Sequence, residues 1–285
     1  MLRFMFLAVA ALFLLGGSAV PPGGLSSLVR AHTRPIEFDF GSWTLDASAA
    51  KLSSWGLSLP RFLPPTTRRQ VVLDYLDQVQ KTRALNAALL LIYADPAVAD
   101  PEAASRSLRQ SLAVEERRLS DLAPVAEAIL QEQLMDVIRD SGLHSLGQVF
   151  PPSLYQISDI PYSLVLSPRT EIRQVLDISL LPGINTDEMD VLETTVLNDL
   201  NHSALVVPIG GIGTYPTMVM QTTDLVWLTE VIAHEWVHNF LTLRPLGMNY
   251  YTNAELRTIN ETTASLAGKE LGLQILEKYY PEFVP

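Results

Sequence analysis

Ile232-Ala233-His234-Glu235-Trp236-Val237-His238-Asn239-Phe240 is the stretch on which the reading of this chain turns. Leu225, Leu228, Val231 and Ile232 precede it at helical spacing, and Val237, Phe240 and Leu241 continue the pattern, so a helix is predicted over 224–243. Residues four apart share one face of a helix. His234 and His238 therefore aim two imidazoles at one point. Glu235 sits about 100° round the helix, off the line of the two nitrogens but within reach of a water beside an ion held there. The competing reading is a helix with two half-buried, inert histidines.

A metal site in this chain has a restricted choice of donors. There is no cysteine, and the five histidines are His32, His144, His202, His234 and His238. Catalytic zinc takes three protein ligands and keeps one position open. The third ligand is expected from an element next to the His-Glu-x-x-His helix. Glu261, in Ile259-Asn260-Glu261-Thr262-Thr263-Ala264-Ser265, follows His238 by 23 positions (261 minus 238). That interval holds the end of one helix, a connection through Arg244-Pro245-Leu246-Gly247, and the start of a returning helix predicted over 254–280. Ala264, Ser265, Ala267 and Gly268 offer small side chains where the two helices meet. Glu255 and Glu270 are the alternative ligands, and a plain surface carboxylate is the alternative role for Glu261.

His234-Glu235-x-x-His238 followed by Asn260-Glu261-x-x-Ala264 resembles the gluzincin branch of the zinc metallopeptidases, over about 60 residues at the carboxy end. The resemblance implies one Zn2+ per chain held by His234, His238 and Glu261, with Glu235 as general base in peptide-bond hydrolysis. It also implies a zincin-like α+β domain with a small sheet and two metal-bearing helices. Thermolysin-like members carry an aspartate four positions after the ligand glutamate. Here that place is Ser265, so the partner that orients the ligand histidines is unassigned. No third histidine follows His238, so the metzincin pattern is not met. A donor for the developing oxyanion is expected from Tyr250, Tyr251, Tyr215 or His202, each of which has packing as its competing role. The run 206–216 carries Gly210, Gly211 and Gly213. In gluzincins a strand just before the metal helix pairs with substrate, which makes these glycines candidate substrate contacts; a plain hairpin is the alternative. The region 203–220 holds no Asp or Glu to grip a free amino terminus, which favours internal cleavage over aminopeptidase action.

The remaining sequence supplies the setting. Of 285 residues, 48% are hydrophobic, and the net charge is -11. That is a globular composition, and Arg68-Arg69 and Arg117-Arg118 are isolated pairs, so nucleic acid is excluded as a partner. The expected partners are a peptide or protein substrate and a membrane. Phe4 to Leu15 is an unbroken apolar run behind Arg3. Residues 1–20 are read as a membrane anchor or a signal peptide, either of which sends the rest of the chain out of the cytoplasm. Residues 21–65 are read as a linker or irregular cover, bounded by Pro21-Pro22-Gly23-Gly24 and Pro64-Pro65.

Residues 66–150 are read as a helical region packing on itself. A first helix stops at Asp95-Pro96, a second starts at Asp100-Pro101-Glu102, and a break near Asp121 and Pro124 opens a third. The metallopeptidase domain is expected at 151–285. It holds strands at 162–166, 173–180, 204–209 and 215–220, the last two joined through the glycine cluster, and a helix at 186–200. Two other functions fit the same residues: a non-catalytic interaction protein at the membrane, and a zinc-dependent hydrolase of a non-peptide amide.

Overall fold

The computed structural model describes residues 24–55, 62–144 and 147–285. The expected membrane segment, 1–20, lies outside them. Among the described residues no helix is long and apolar enough to cross a membrane.

In chain order the elements are α1 (Leu25–Thr33), α2 (Phe40–Trp55), α3 (Pro65–Ala94), α4 (Pro101–Ala104), α5 (Arg106–Asp140), β1 (Tyr155–Ile157), β2 (Tyr162–Pro168), β3 (Leu176–Leu180), α6 (Thr186–Leu200), β4 (His202–Pro208), β5 (Gly211–Ile212), β6 (Thr217–Val219), α7 (Leu225–Thr242), α8 (Pro245–Met248) and α9 (Ala254–Tyr279). The class is α+β with small sheets. The chain forms two compact units, Met1–Asp46 with Ile160–Ile209, and Ala47–Asp159 with Gly210–Pro285. The expected boundary at 150 is therefore replaced by a discontinuous division. Residues 21–65 are also not an irregular cover. They hold α1 and α2, and Val29 and Thr33, four apart on α1, are buried.

In the first unit three antiparallel strands are ordered β3-β2-β4. Leu164 of β2 faces Ile178 and Val206, and Leu166, two residues on, is buried on the same side. Leu192 and Val196 of α6 join that core. Asn185 and Glu188 form a reciprocal capping box that starts α6 where the sequence places it.

The second unit is built on long helices. Val72, Tyr75, Leu76 and Val79 of α3 share a core with Ala126, Ile129, Leu130, Leu134, Val137 and Ile138 of α5. Pro124 lies inside α5, and the predicted break is absent. An interior proline costs about 3 kcal/mol. Ile129, Leu130, Leu134, Val137 and Ile138, which follow it on α5 and are each worth about 1.5–3 kcal/mol when fully buried, outweigh that cost.

The second sheet is ordered β1-β6-β5, with β1 parallel to β6 and β5 antiparallel to it. The strands predicted at 204–209 and 215–220 are thus not partners across a hairpin. The first pairs with β2 over seven positions, and the second with β1 and the two-residue β5. Side chains of α5 close the outer edge of β1: Ile157 N–H donates to Glu127 Oε1 at 2.8 Å, and Gln131 Nε2 donates to the Tyr155 carbonyl at 2.9 Å.

Candidate metal centre

The site rests on two helices of the second unit. Asp224 caps α7 by accepting from Trp227 N–H at 3.1 Å, and Asn253 caps α9 by accepting from Leu256 N–H at 2.8 Å. Helix α7 buries Leu228, Ile232, Ala233, Trp236, Val237 and Leu241, which fixes its rotation and turns His234 and His238 to the opposite side. Helix α9 meets it through Ala264, Gly268 and Gly272, one residue per turn. A Cβ on Gly268 would stand 2.9 Å from His234 Cα, closer than a side-chain carbon tolerates. The helices touch backbone to backbone beside the first histidine, which brings Glu261 over both imidazoles. Of the small residues expected at this contact, Ala264 and Gly268 lie in it, whereas Ser265 is exposed.

His234 Nε2 and His238 Nε2 are 3.0 Å apart. Glu261 Oε2 lies 3.7 Å from the first and 3.4 Å from the second. Among the described residues these three form a group that can hold a metal ion, their ligand atoms all within 4.8 Å of one another. Glu255 and Glu270 are not part of it, and Glu270 instead accepts from Gln274 at 2.8 Å.

The partner of His238 is Asn260. Its Oδ1 lies 2.9 Å from His238 Nδ1. An amide oxygen only accepts, so Nδ1 carries the proton and Nε2 keeps its lone pair toward the group. The side chain is almost fully buried, and its Nδ2 donates to the Leu246 carbonyl at 3.4 Å. Sequence reasoning quoted Asn260 within the motif but assigned it no role. Its signal was its place one residue before Glu261, a little over a quarter-turn round α9 and toward α7.

Glu261 divides its oxygens. Oε2 faces the histidines, and Oε1 accepts from the Tyr250 hydroxyl at 2.6 Å. The bonded His238 imidazole holds the Glu261 carboxyl down to about 2, against burial, with Tyr250 and His234 adding to the effect. Burial lowers the His234 pKa, and the His238 beside it adds to that. Burial opposes charge on His238 as well, but bonding to Glu261 and the charges of Glu261 and Glu235 raise it overall.

Glu235 is 7% exposed, and burial pushes its carboxyl up to about 7. Strand β5 lies against it. A Cβ on Gly211 would stand 2.7 Å from Glu235 Oε1, and one on Gly213 would stand 3.3 Å from His238 Cβ. Gly210 meets Trp227 in the same way, at 2.9 Å. The glycines are thus the condition for a backbone strand to cross the two side chains without displacing them. Asn239 ties the loop after β5 to α7, donating to Thr217 Oγ1 at 3.0 Å and to the Thr214 carbonyl at 3.2 Å.

The four suggested oxyanion donors separate. Tyr250 is at the centre, but its hydroxyl bonds Glu261. Tyr251 stacks edge-on against the Tyr250 ring and is 87% exposed. The Tyr215 hydroxyl donates to the Pro152 carbonyl at 3.2 Å. His202 begins β4 in the other unit, where its Nδ1 lies 2.7 Å from the Leu200 carbonyl. Comparison with protein-family models, with curated proteins and with solved structures finds no match to this chain.

Proposed function

We propose that the chain is a zinc-dependent peptidase acting outside the cytoplasm, with His234, His238 and Glu261 as metal ligands and Glu235 as general base. The observation that carries this reading is the triangle of donor atoms with a buried carboxyl beside it. Sides of 3.0, 3.4 and 3.7 Å leave a point about 2.0 Å from all three atoms. Zinc takes His nitrogen at about 2.0–2.1 Å and carboxylate oxygen at about 2.0–2.2 Å. Two imidazoles and one carboxylate are also a donor set that catalytic zinc uses.

When bound, zinc supplies a Lewis acid that polarises a carbonyl and makes water easier to deprotonate. The chain supplies the rest. Glu235, held near neutrality by burial, accepts a proton at its carboxylate and returns it to the leaving amine. Tyr250 keeps one Glu261 oxygen occupied, so the other alone faces the ion. Among the described residues strand β5 pairs with β6 alone and is an edge of its sheet. Its second side is suited to an extended peptide, which it would align by backbone hydrogen bonds beside Glu235. The glycines keep side chains out of that space. The apolar run at 4–15 is the ground for placing the enzyme outside the cytoplasm.

Glu235→Gln tests the reading. Glutamine keeps the size and packing but not the basic carboxylate. The variant is expected to hold zinc at the parent's stoichiometry and to lose about a hundred- to ten-thousand-fold in peptide cleavage. Equal cleavage by parent and variant would remove Glu235 from the mechanism.

A further inference from the structure

The second unit contains a cavity of about 480 Å³. None of His234, Glu235, His238 and Glu261 lines it. Gln156 and Ile157 of β1 form part of its wall. Strand β1 is the opposite edge of the sheet from β5, the strand that touches Glu235. Two strand spacings, about 10 Å, separate those edges.

The cavity floor is polar and mostly buried. Lys51 and Glu127, 8% and 5% exposed, form an ion pair there. Burying such a pair is costly, and good geometry is needed to recover the desolvation. Tyr75 lines the same space, is wholly buried, and its hydroxyl has no hydrogen-bond partner among the described residues. Gln156 Oε1 is likewise buried without one. An orphaned buried polar atom costs about 1–3 kcal/mol, so two of them facing one cavity mark a place for a polar occupant. A further acceptor comes from the proline inside α5. Pro124 has no N–H, so the Ser120 carbonyl lacks its helical donor, and both residues line the cavity. Glu116, exposed on α5, brings a second carboxylate to the wall.

Among the described lining residues two carboxylates, Glu116 and Glu127, stand against one ammonium, Lys51. Lys51 is already engaged with Glu127, so the described lining residues offer an anionic ligand no second cation, and Glu116 is set against it. The volume falls within the range of about 300–1,000 Å³ found for small-molecule sites.

We propose that this cavity binds a small organic cation, a protonated amine of diamine or amino-alcohol size. Its N–H groups go to Gln156 Oε1, the Ser120 carbonyl and Glu116, and its far end reaches the Tyr75 hydroxyl. The site is separate from the metal centre and does not depend on the peptidase reading.

Calorimetric titration of the metal-depleted full chain with 1,4-diaminobutane tests this, with succinate as the anionic counterpart. One saturable diamine site is expected, and succinate should give no heat beyond dilution. Glu116→Gln, at an exposed position that cannot unsettle the core, is expected to weaken the diamine about tenfold, and Tyr75→Phe about threefold. Circular dichroism confirms that both variants keep the parent fold. Three results would each overturn the proposal: no diamine binding by the parent, which leaves the cavity to water; diamine affinity unchanged in both variants; or succinate binding in its place.

Discussion

Each side chain at the candidate metal centre has a distinct place, and Asn260 has the role that its chemistry states most clearly. It fixes the tautomer of His238 by accepting at Nδ1. Removing such a partner typically costs 10- to 100-fold in metal affinity. Asn260→Ala is therefore expected to weaken zinc by about that range in a competition titration with a chromogenic chelator, and Asn260→Asp, which still accepts, to recover most of the loss. Glu235 carries a cost of its own. Its folded pKa, about 7, lies above the ordinary 4.5, so the folded state holds the proton more tightly. Stability from this group is full below the ordinary value, falls as pH rises through about 7, and stays low above it. Glu235→Gln in metal-free protein is thus expected to raise stability by about 1–3 kcal/mol at pH 8 and to change it little at pH 4. Denaturant melts at the two pH values measure this; equal gains at both would show that the carboxyl is not held protonated by burial.

The helices were legible where a periodic apolar pattern ran for several turns. The α6, α7 and α9 positions follow from apolar spacing, and the structure adds caps at Asn185, Asp224 and Asn253. Strand partners were not legible, because a strand of seven residues with alternating burial carries no record of which strand lies beside it. Thus β4 and β6, separated in sequence only by the short β5, belong to different sheets, and three-residue β1 left no pattern at all. Pro124 shows the same limit from the other side: a local breaker is overridden by packing that only the tertiary structure supplies. The helix contact that builds the site gives a test at this scale. Gly268→Ala places a methyl 2.9 Å from the His234 backbone, where no flexible side chain can yield. It is expected to cost about 1–3 kcal/mol of stability and to weaken zinc by moving Glu261 away from the histidines. Ser265→Ala, exposed three residues earlier, should change neither. Thermal melts with and without zinc compare the two, and a neutral Gly268→Ala would contradict the backbone contact.

For the whole molecule, the sequence pointed to the site far better than to the division of the chain. The grouping of His234, His238 and Glu261, whose candidate ligand atoms lie within 4.8 Å of one another, follows the spacing in the sequence, because each helix presents its own residues at fixed intervals. The division was not, because it depends on contacts far apart in sequence. Residues 36–38 add to the edge of β3, with Phe38 N–H donating to the Ser179 carbonyl at 3.0 Å and Leu181 N–H to the Ile36 carbonyl at 2.8 Å. Such pairing draws the described residues up to 46 into one unit with 160–209, and no periodicity announces it. The account of function rests on the other unit and on an ion that joins its two longest carboxy-terminal helices. The most direct measurement is peptide-library cleavage, read by mass spectrometry while zinc is returned stepwise to metal-depleted protein. The account predicts no cleavage without metal, a linear rise in cleavage up to one zinc per chain, and then a plateau. A fully zinc-loaded parent that cleaves no peptide, or cleavage that is the same before zinc is added, would contradict it.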